Sequence, residues 1–171
     1  ASLNEGAASK VVLARDIVVS SDTPIDERFL ASRLRQLYPS TWVFAVNGLI
    51  GATPEMLAAL DSGIVTSRVL AGTAAPTDGA DLFSSMKNRT EHHFAVESVA
   101  RALAPLAESL DVPTEPFLLQ LPNVVHLATE VTAHVPGANV LDIVGALHPT
   151  VADNFNVPAE TYEIGRASCR E

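Results

Sequence analysis

The sequence is poor in several features that hold small proteins together or announce their work. It has a single cysteine, Cys169, among 171 residues. One cysteine makes no internal disulfide, and the chain has no CxxC pair or Cys/His zinc spacing. Nothing therefore calls for an oxidising compartment. Lysine and arginine number 11 against 20 acidic residues, a formal charge of -9. Such a surface repels phosphate backbones, so no nucleic acid partner is expected. No apolar run approaches the ~20 residues of a membrane span; the longest, Val11–Ala14 and Trp42–Val46 among them, are far shorter, and no membrane association is expected. The first residues, Ala1-Ser2-Leu3-Asn4-Glu5, lack the basic segment and apolar run of a signal peptide. There is no initiator methionine, so an upstream start is expected. The expected location is the cytoplasm.

Hydrophobic residues make up 47% of the chain and charged residues 18%, which excludes a disordered polymer. A chain of this length buries ~70% of its unfolded surface and needs no staple to fold. Residues 10–20, KVVLARDIVVS, are rich in Val and Ile and predict a strand. Asp26–Leu37 predicts a helix, with Phe29, Leu30, Leu34 and Leu37 at helical spacing and Pro39 behind it. Trp42–Val46 and Leu49–Ala52 flank Asn47-Gly48, and Met56–Leu60 and Ile64–Val69 flank Asp61-Ser62-Gly63. Both read as hairpins. Ala71–Gly79 reads as a loop, followed by a long helix over Asp81–Leu110 that Pro105 kinks or shortens. Phe117–Leu121 and Val124–Val135 predict strands, and Asn139–Leu147 a short helix capped by Asn139. Hairpin signals outnumber strand–helix–strand units. The expected class is α/β in the broad sense, α+β in detail, with largely antiparallel sheets. Residues 163–171, EIGRASCRE, have no apolar periodicity and resemble a translated sequencing adapter. They are set apart from residues 1–162 as a non-native tail.

Few residues offer chemistry on their own. Lys10 opens a strand and, alone, reads as a solvated lysine. Glu55 follows Gly51-Ala52-Thr53-Pro54 in a turn that could present a carboxyl to a cavity or to solvent. Gly72-Thr73 offers backbone N–H groups suited to an anion, or a plain connection. His92 and His93 are adjacent on a helix and diverge, which excludes an HExxH metal site. His126, in a strand pattern, reads as a hydrogen-bonded core histidine or a ligand contact. His148 follows a helix end, where it can serve as a cap partner.

Six segments taken together resemble the chorismate-utilising enzymes, and among them the isochorismate synthases. They are KVVLAR at Lys10–Arg15, GATPEML at Gly51–Leu57, LAGTA at Leu70–Ala74, KNRTEHHFAV at Lys87–Val96, NVVHLAT at Asn123–Thr129 and ALHPT at Ala146–Thr150. Each is weak alone; six in the family's order are specific. The resemblance implies a chorismate-binding fold of stacked, largely antiparallel sheets with outer helices. It implies Mg2+-dependent isomerisation of chorismate to isochorismate, by water attack at C2 and loss of the C4 hydroxyl.

The resemblance also assigns roles. Lys10 matches the general base on water, and Glu55 the acid that protonates the departing hydroxyl. Glu91 matches a glutamate that holds Mg2+. Ala71, Gly72 and Thr73 match the loop lining the substrate, and His126 the histidine beside the ring. The roles are physically coherent: a base held partly neutral and an acid held protonated split the proton traffic of one cleft. Relatives that use ammonia carry glutamine where this chain has Lys10, and relatives with a nucleophilic lysine before Gly-Thr carry it where this chain has Ala71. Both positions imply water as nucleophile. A salicylate or anthranilate synthase type of chorismate enzyme is the alternative, as is an inactive truncated chain. The chain departs from the pattern at Thr90, where the family usually has histidine. Family members are also more than twice as long, so this chain resembles a central portion, with further metal-binding glutamates and a carboxylate-binding arginine expected beyond it. The pathway served, menaquinone or siderophore biosynthesis, and the oligomeric state are not legible.

Overall fold

Two pairs of residues with left-handed backbone set the strand pairings. Asn47 and Gly48 have φ of 48° and 85°, and Ser62 and Gly63 have φ of 51° and 81°. Positive φ at both central positions is the type I′ turn, whose twist matches that of paired strands. The first turn joins β1 (Trp42–Val46) to β2 (Leu49–Thr53); the second joins β3 (Met56–Asp61) to β4 (Ile64–Ala74). The computed structural model describes residues 16–148, of which 16–25 belong to one unit and 26–148 to another. Lys10 and the tail at 163–171 lie outside the described residues.

β1 and β2 form a two-stranded antiparallel sheet in which Phe44 stands opposite Gly51. The Phe44 ring occupies the space that a Cβ on residue 51 would need, so the ring covers the bare backbone of the glycine. The main sheet runs β3-β4-β7, where β7 is Val125–His134. The outer edge of β7 is shared: β5 (Ser109–Asp111) pairs with its Thr132–His134 end, and β6 (Phe117–Gln120) with its Val125–Ala128 end. Every pairing is antiparallel, as the hairpin signals imply.

Burial alternates along β4 and β7, the signature of a sheet with one covered face. Val65 and Val69 on β4, and Val131 and Ala133 on β7, point to the covered face and are buried. Two helices close over them: α3 (Met86–Leu103), through Val96, Val99 and Leu103, and α4 (Val140–Leu147), through Ile143 and Leu147. Each such side chain contributes ~1.5–3 kcal/mol on burial, which makes this interface the main source of stability. Asn139 caps α4, accepting from the Leu141 and Asp142 amides while Asp142 accepts from the Asn139 amide. The Asn139 cap matches the sequence expectation, and Asp142 completes a reciprocal box. α2 (Gly79–Ser84) sets Leu82 against Val125 and Leu127 at the start of β7.

Three expectations need correction. The helix over Asp81–Leu110 is two helices and a strand. Ser85 takes extended backbone (φ −69°, ψ 111°), ends α2, and caps α3 by accepting from the Asn88 amide. α3 stops at Leu103, before Pro105, and Ser109–Asp111 join the sheet. Ala71–Ala74 are not loop: β4 continues through them after an irregularity, and only then does a 3₁₀ turn at Pro76–Asp78 follow. The strand expected from Lys10 to Ser20 is irregular over its described part, Asp16–Ser20, and Ile17, Val18 and Val19 are exposed. Strand propensity is realised only against a pairing partner, and Asp16–Ser20 pair with no strand among the described residues. α1 (Glu27–Leu37) forms as expected behind its Asp26 cap, yet none of its residues is buried and Phe29 and Leu37 are exposed.

Candidate functional site at one end of the main sheet

The antiparallel ladder collects most of the expected site residues at one end of the main sheet. β4 arrives there with Ala71, Gly72 and Thr73, and β7 departs from there with His126. The two strands pair regularly from Ile64↔His134 to Leu70↔Ala128, lose register, and resume at Thr73↔His126. Gly72 sits in the gap at φ 88°, a conformation that glycine adopts without the cost other residues meet. β3 reaches the same end of the sheet. Met56 is the partner of Arg68, so Glu55, one residue earlier, lies on the side toward which β4 runs to Thr73.

The side chains follow the ladder. Thr73 Oγ1 and His126 Nδ1 lie 2.9 Å apart. Burial pushes the His126 imidazole below the ordinary histidine value, a shift partly opposed by its hydrogen bond to the Gly72 backbone. His126 is therefore half-buried, neutral near pH 7 and tied to two of the three expected loop residues. Its partial exposure at the start of β7 sets it apart from a core histidine. Glu55 is exposed, and its amide donates to Thr53 Oγ1 at 3.1 Å, which fixes the turn that carries it. Glu91 lies half-buried on α3.

On the same face of β7, four residues beyond His126, Glu130 Oε1 accepts from Arg68 Nε at 2.9 Å, and the Arg68 guanidinium lies 5.4 Å over the Trp42 ring. This pair anchors the β1–β2 hairpin beside the main sheet.

His92, which no individual motif singles out, touches the same end of β4. It is 3% exposed. Its Nδ1 lies 3.2 Å from the Ala71 carbonyl and its Nε2 lies 2.8 Å from Thr129 Oγ1. Burial pushes its imidazole below the ordinary value, only partly offset by the bond to Ala71. A signal for it exists in the sequence. His92 falls on the stripe of Ala95, Val96, Val99 and Leu103, and a polar residue on an apolar stripe must find partners. His93, its neighbour, points outward and is exposed, the divergence that helical geometry requires.

Among the described residues no group of three or more His, Cys, Asp and Glu could hold a metal ion. Mg2+ takes oxygen ligands and commonly uses one or two protein carboxylates with substrate oxygens and water. Glu91 fits as one such carboxylate, and the described residues do not make a metal site without further donors. A cleft of about 240 Å³ opens elsewhere, between α3 and the β5–β6 connection, lined by His92, Thr129, His93, Arg89 and Pro113 among others. None of the six described residues expected in the site lines it. No helix among the described residues is long and apolar enough to cross a membrane.

Comparison with known proteins places the chain in a family and a fold. A family model described as chorismate binding enzyme matches residues 1–152. Isochorismate synthase DhbC of Bacillus subtilis is 31% identical over 173 residues, covering 89% of this chain and 44% of its own length. Isochorismate synthase EntC of Escherichia coli K12 is 34% identical over 157 residues, covering 84% and 40%. The crystal structure of DhbC from Bacillus anthracis superposes with a TM-score of 0.72 at 34% identity, over 77% of this chain and 40% of that one. The chain thus spans under half the length of the relatives it matches.

Proposed function

The chain belongs to the family of chorismate-binding enzymes, and from that premise we propose that it is the part of an isochorismate synthase that carries the base, the acid and one wall of the substrate pocket. The observation that carries this reading is the convergence of Gly72, Thr73 and His126 at one end of the main sheet, with Glu55 on the strand edge beside them. Chorismate is a small dianion. A glycine-opened backbone, a hydroxyl and a neutral imidazole offer such a ligand donors without a bulky obstacle.

In this reading Lys10 takes a proton from a water molecule as that water adds to C2. The ring double bond shifts, and the C4 hydroxyl leaves as water after taking a proton from Glu55. One water enters and one leaves, so the net change is an isomerisation. The base must be neutral and the acid protonated when the substrate binds, which requires the two groups to be tuned apart. Thr73 and His126 hold the ring and its carboxylate in register with both groups. When Mg2+ is bound, Glu91 is proposed as one ligand, and the ion's contribution is to neutralise substrate carboxylate charge. Ala71 in place of a lysine before Gly-Thr favours water over a covalent route at this position. Participation in menaquinone or siderophore biosynthesis, and a cytoplasmic setting, belong to the same proposal.

The test is a product assay on the whole protein with chorismate, Mg2+ and ammonium present together. Isochorismate as the product supports the reading. Anthranilate or salicylate as the sole product contradicts it.

A further inference from the structure

Between Leu70 and Thr73 the β4–β7 ladder loses register, so Ala71 and Gly72 have no pairing partner on β7. The sheet itself does not fix the peptide that joins them. The Ala71 carbonyl is instead taken from the helix side, by His92 Nδ1 at 3.2 Å. A carbonyl only accepts, so Nδ1 bears the hydrogen and Nε2 of the neutral ring bears a lone pair. The Thr129 hydroxyl donates to that Nε2 at 2.8 Å, which holds the ring in this tautomer and orientation. One imidazole thus ties α3 to β7 and to the unpaired stretch of β4. Gly72 follows at φ 88°, and Thr73 resumes the ladder and reaches His126. If position 92 served packing alone, an apolar side chain would fill it at lower desolvation cost than an imidazole with both nitrogens engaged.

We propose that His92 is a positioning residue for the substrate-lining end of β4: by donating to the Ala71 carbonyl it sets the direction of the Ala71–Gly72 peptide, and through it the Thr73–His126 pair, without touching substrate itself. This rests on the reading that Ala71–Thr73 and His126 receive chorismate.

The experiment uses the full chain, 15N-labelled, with three variants. The side-chain amide nitrogen of asparagine falls near the place of Nδ1, and that of glutamine near the place of Nε2. His92→Asn therefore keeps a donor for Ala71, His92→Gln keeps only the Thr129 side, and His92→Leu keeps neither. In NMR spectra without ligand, the Gly72 and Thr73 amides and the His126 Nδ1 resonance stay at wild-type positions in H92N and move in H92Q and H92L. The methyl signals of Val65 and Leu103 stay in place in all three. Chorismate affinity falls roughly tenfold in H92Q and H92L relative to H92N, the scale of one lost hydrogen bond. Unmoved Gly72, Thr73 and His126 signals in H92Q and H92L overturn the proposal, and so does H92N behaving like H92L. Should the variants fail to fold, the wild-type ring decides: a proton on Nδ1 supports the proposal and one on Nε2 alone overturns it. Ligand-free shifts that follow the expected pattern, with no chorismate bound by any of the proteins, leave the positioning role standing and refute the chorismate reading instead.

Discussion

Thr73 and His126 stand opposite each other where the β4–β7 ladder resumes after its irregularity, and their side chains meet at 2.9 Å. The pair is 53 residues apart in sequence, and it exists because β4 and β7 are antiparallel neighbours. It joins residues of two strands that the resemblance places on the same substrate.

Thr73→Val removes the hydroxyl and keeps the β-branched shape. Thr73 is exposed and His126 half-buried, so the cost in stability is small, about 1 kcal/mol or less. Chorismate affinity falls more, by roughly tenfold. Urea denaturation and calorimetry separate the two effects.

Gly72→Ala tests backbone strain. A Cβ at position 72 meets the side chains of Leu127 and Leu82 at 3.4 Å, an ordinary contact, so the penalty comes from φ 88°. About 1–2 kcal/mol of stability is lost, seen as a lower urea midpoint at unchanged slope. Gly137→Ala is the control: φ is 79° there and nothing lies within 4 Å of the added atom. It loses a similar amount of stability and leaves chorismate affinity unchanged.

The His126 imidazole has a folded-state pKa below its unfolded value of about 6.5. Below that pH the unfolded chain binds more protons than the folded one, so stability falls as pH drops. The contribution is fully present above about 6.5 and is lost as pH falls through the lowered folded value. An NMR titration of the His126 ring shows a midpoint below that of a histidine peptide. His126→Gln flattens the stability profile in this window.

Lys10→Ala abolishes isochorismate formation by the whole protein. Glu55→Gln, which preserves shape but carries no acid, lowers kcat by about 10²–10⁴-fold with a much smaller change in KM. Steady-state kinetics with product identification checks both. Retained turnover in Lys10→Ala contradicts the assignment of the base.

The local elements were legible where chemistry is local. Asn47-Gly48 and Ser62-Gly63 announced their turns, Asp26 and Asn139 their helices, and each formed within a residue or two of expectation. The failures share one cause, dependence on distant partners. Asp16–Ser20 has strand composition and no pairing strand among the described residues. Ser109–Asp111 follows a helical pattern yet becomes a strand because the edge of β7 accepts it. Ala71–Ala74 has loop composition and extends β4 because Thr73 finds His126. Motif order singled out Gly72, Thr73 and His126, which the fold brings together, whereas His92 was read only for its divergence from His93. Its partners are the Ala71 carbonyl and Thr129, which lie 21 and 37 residues away. Periodicity shows that such a histidine is buried; only the fold shows what it holds.

The most direct test of the central claim is an NMR titration of the labelled chain with millimolar chorismate in the presence of Mg2+. The expected result is chemical-shift changes concentrated at Gly72, Thr73 and His126, at one end of the main sheet, and at Glu91 on α3. Unmoved signals at those residues, or changes confined to the cleft lined by Arg89, His93 and Pro113, would contradict it.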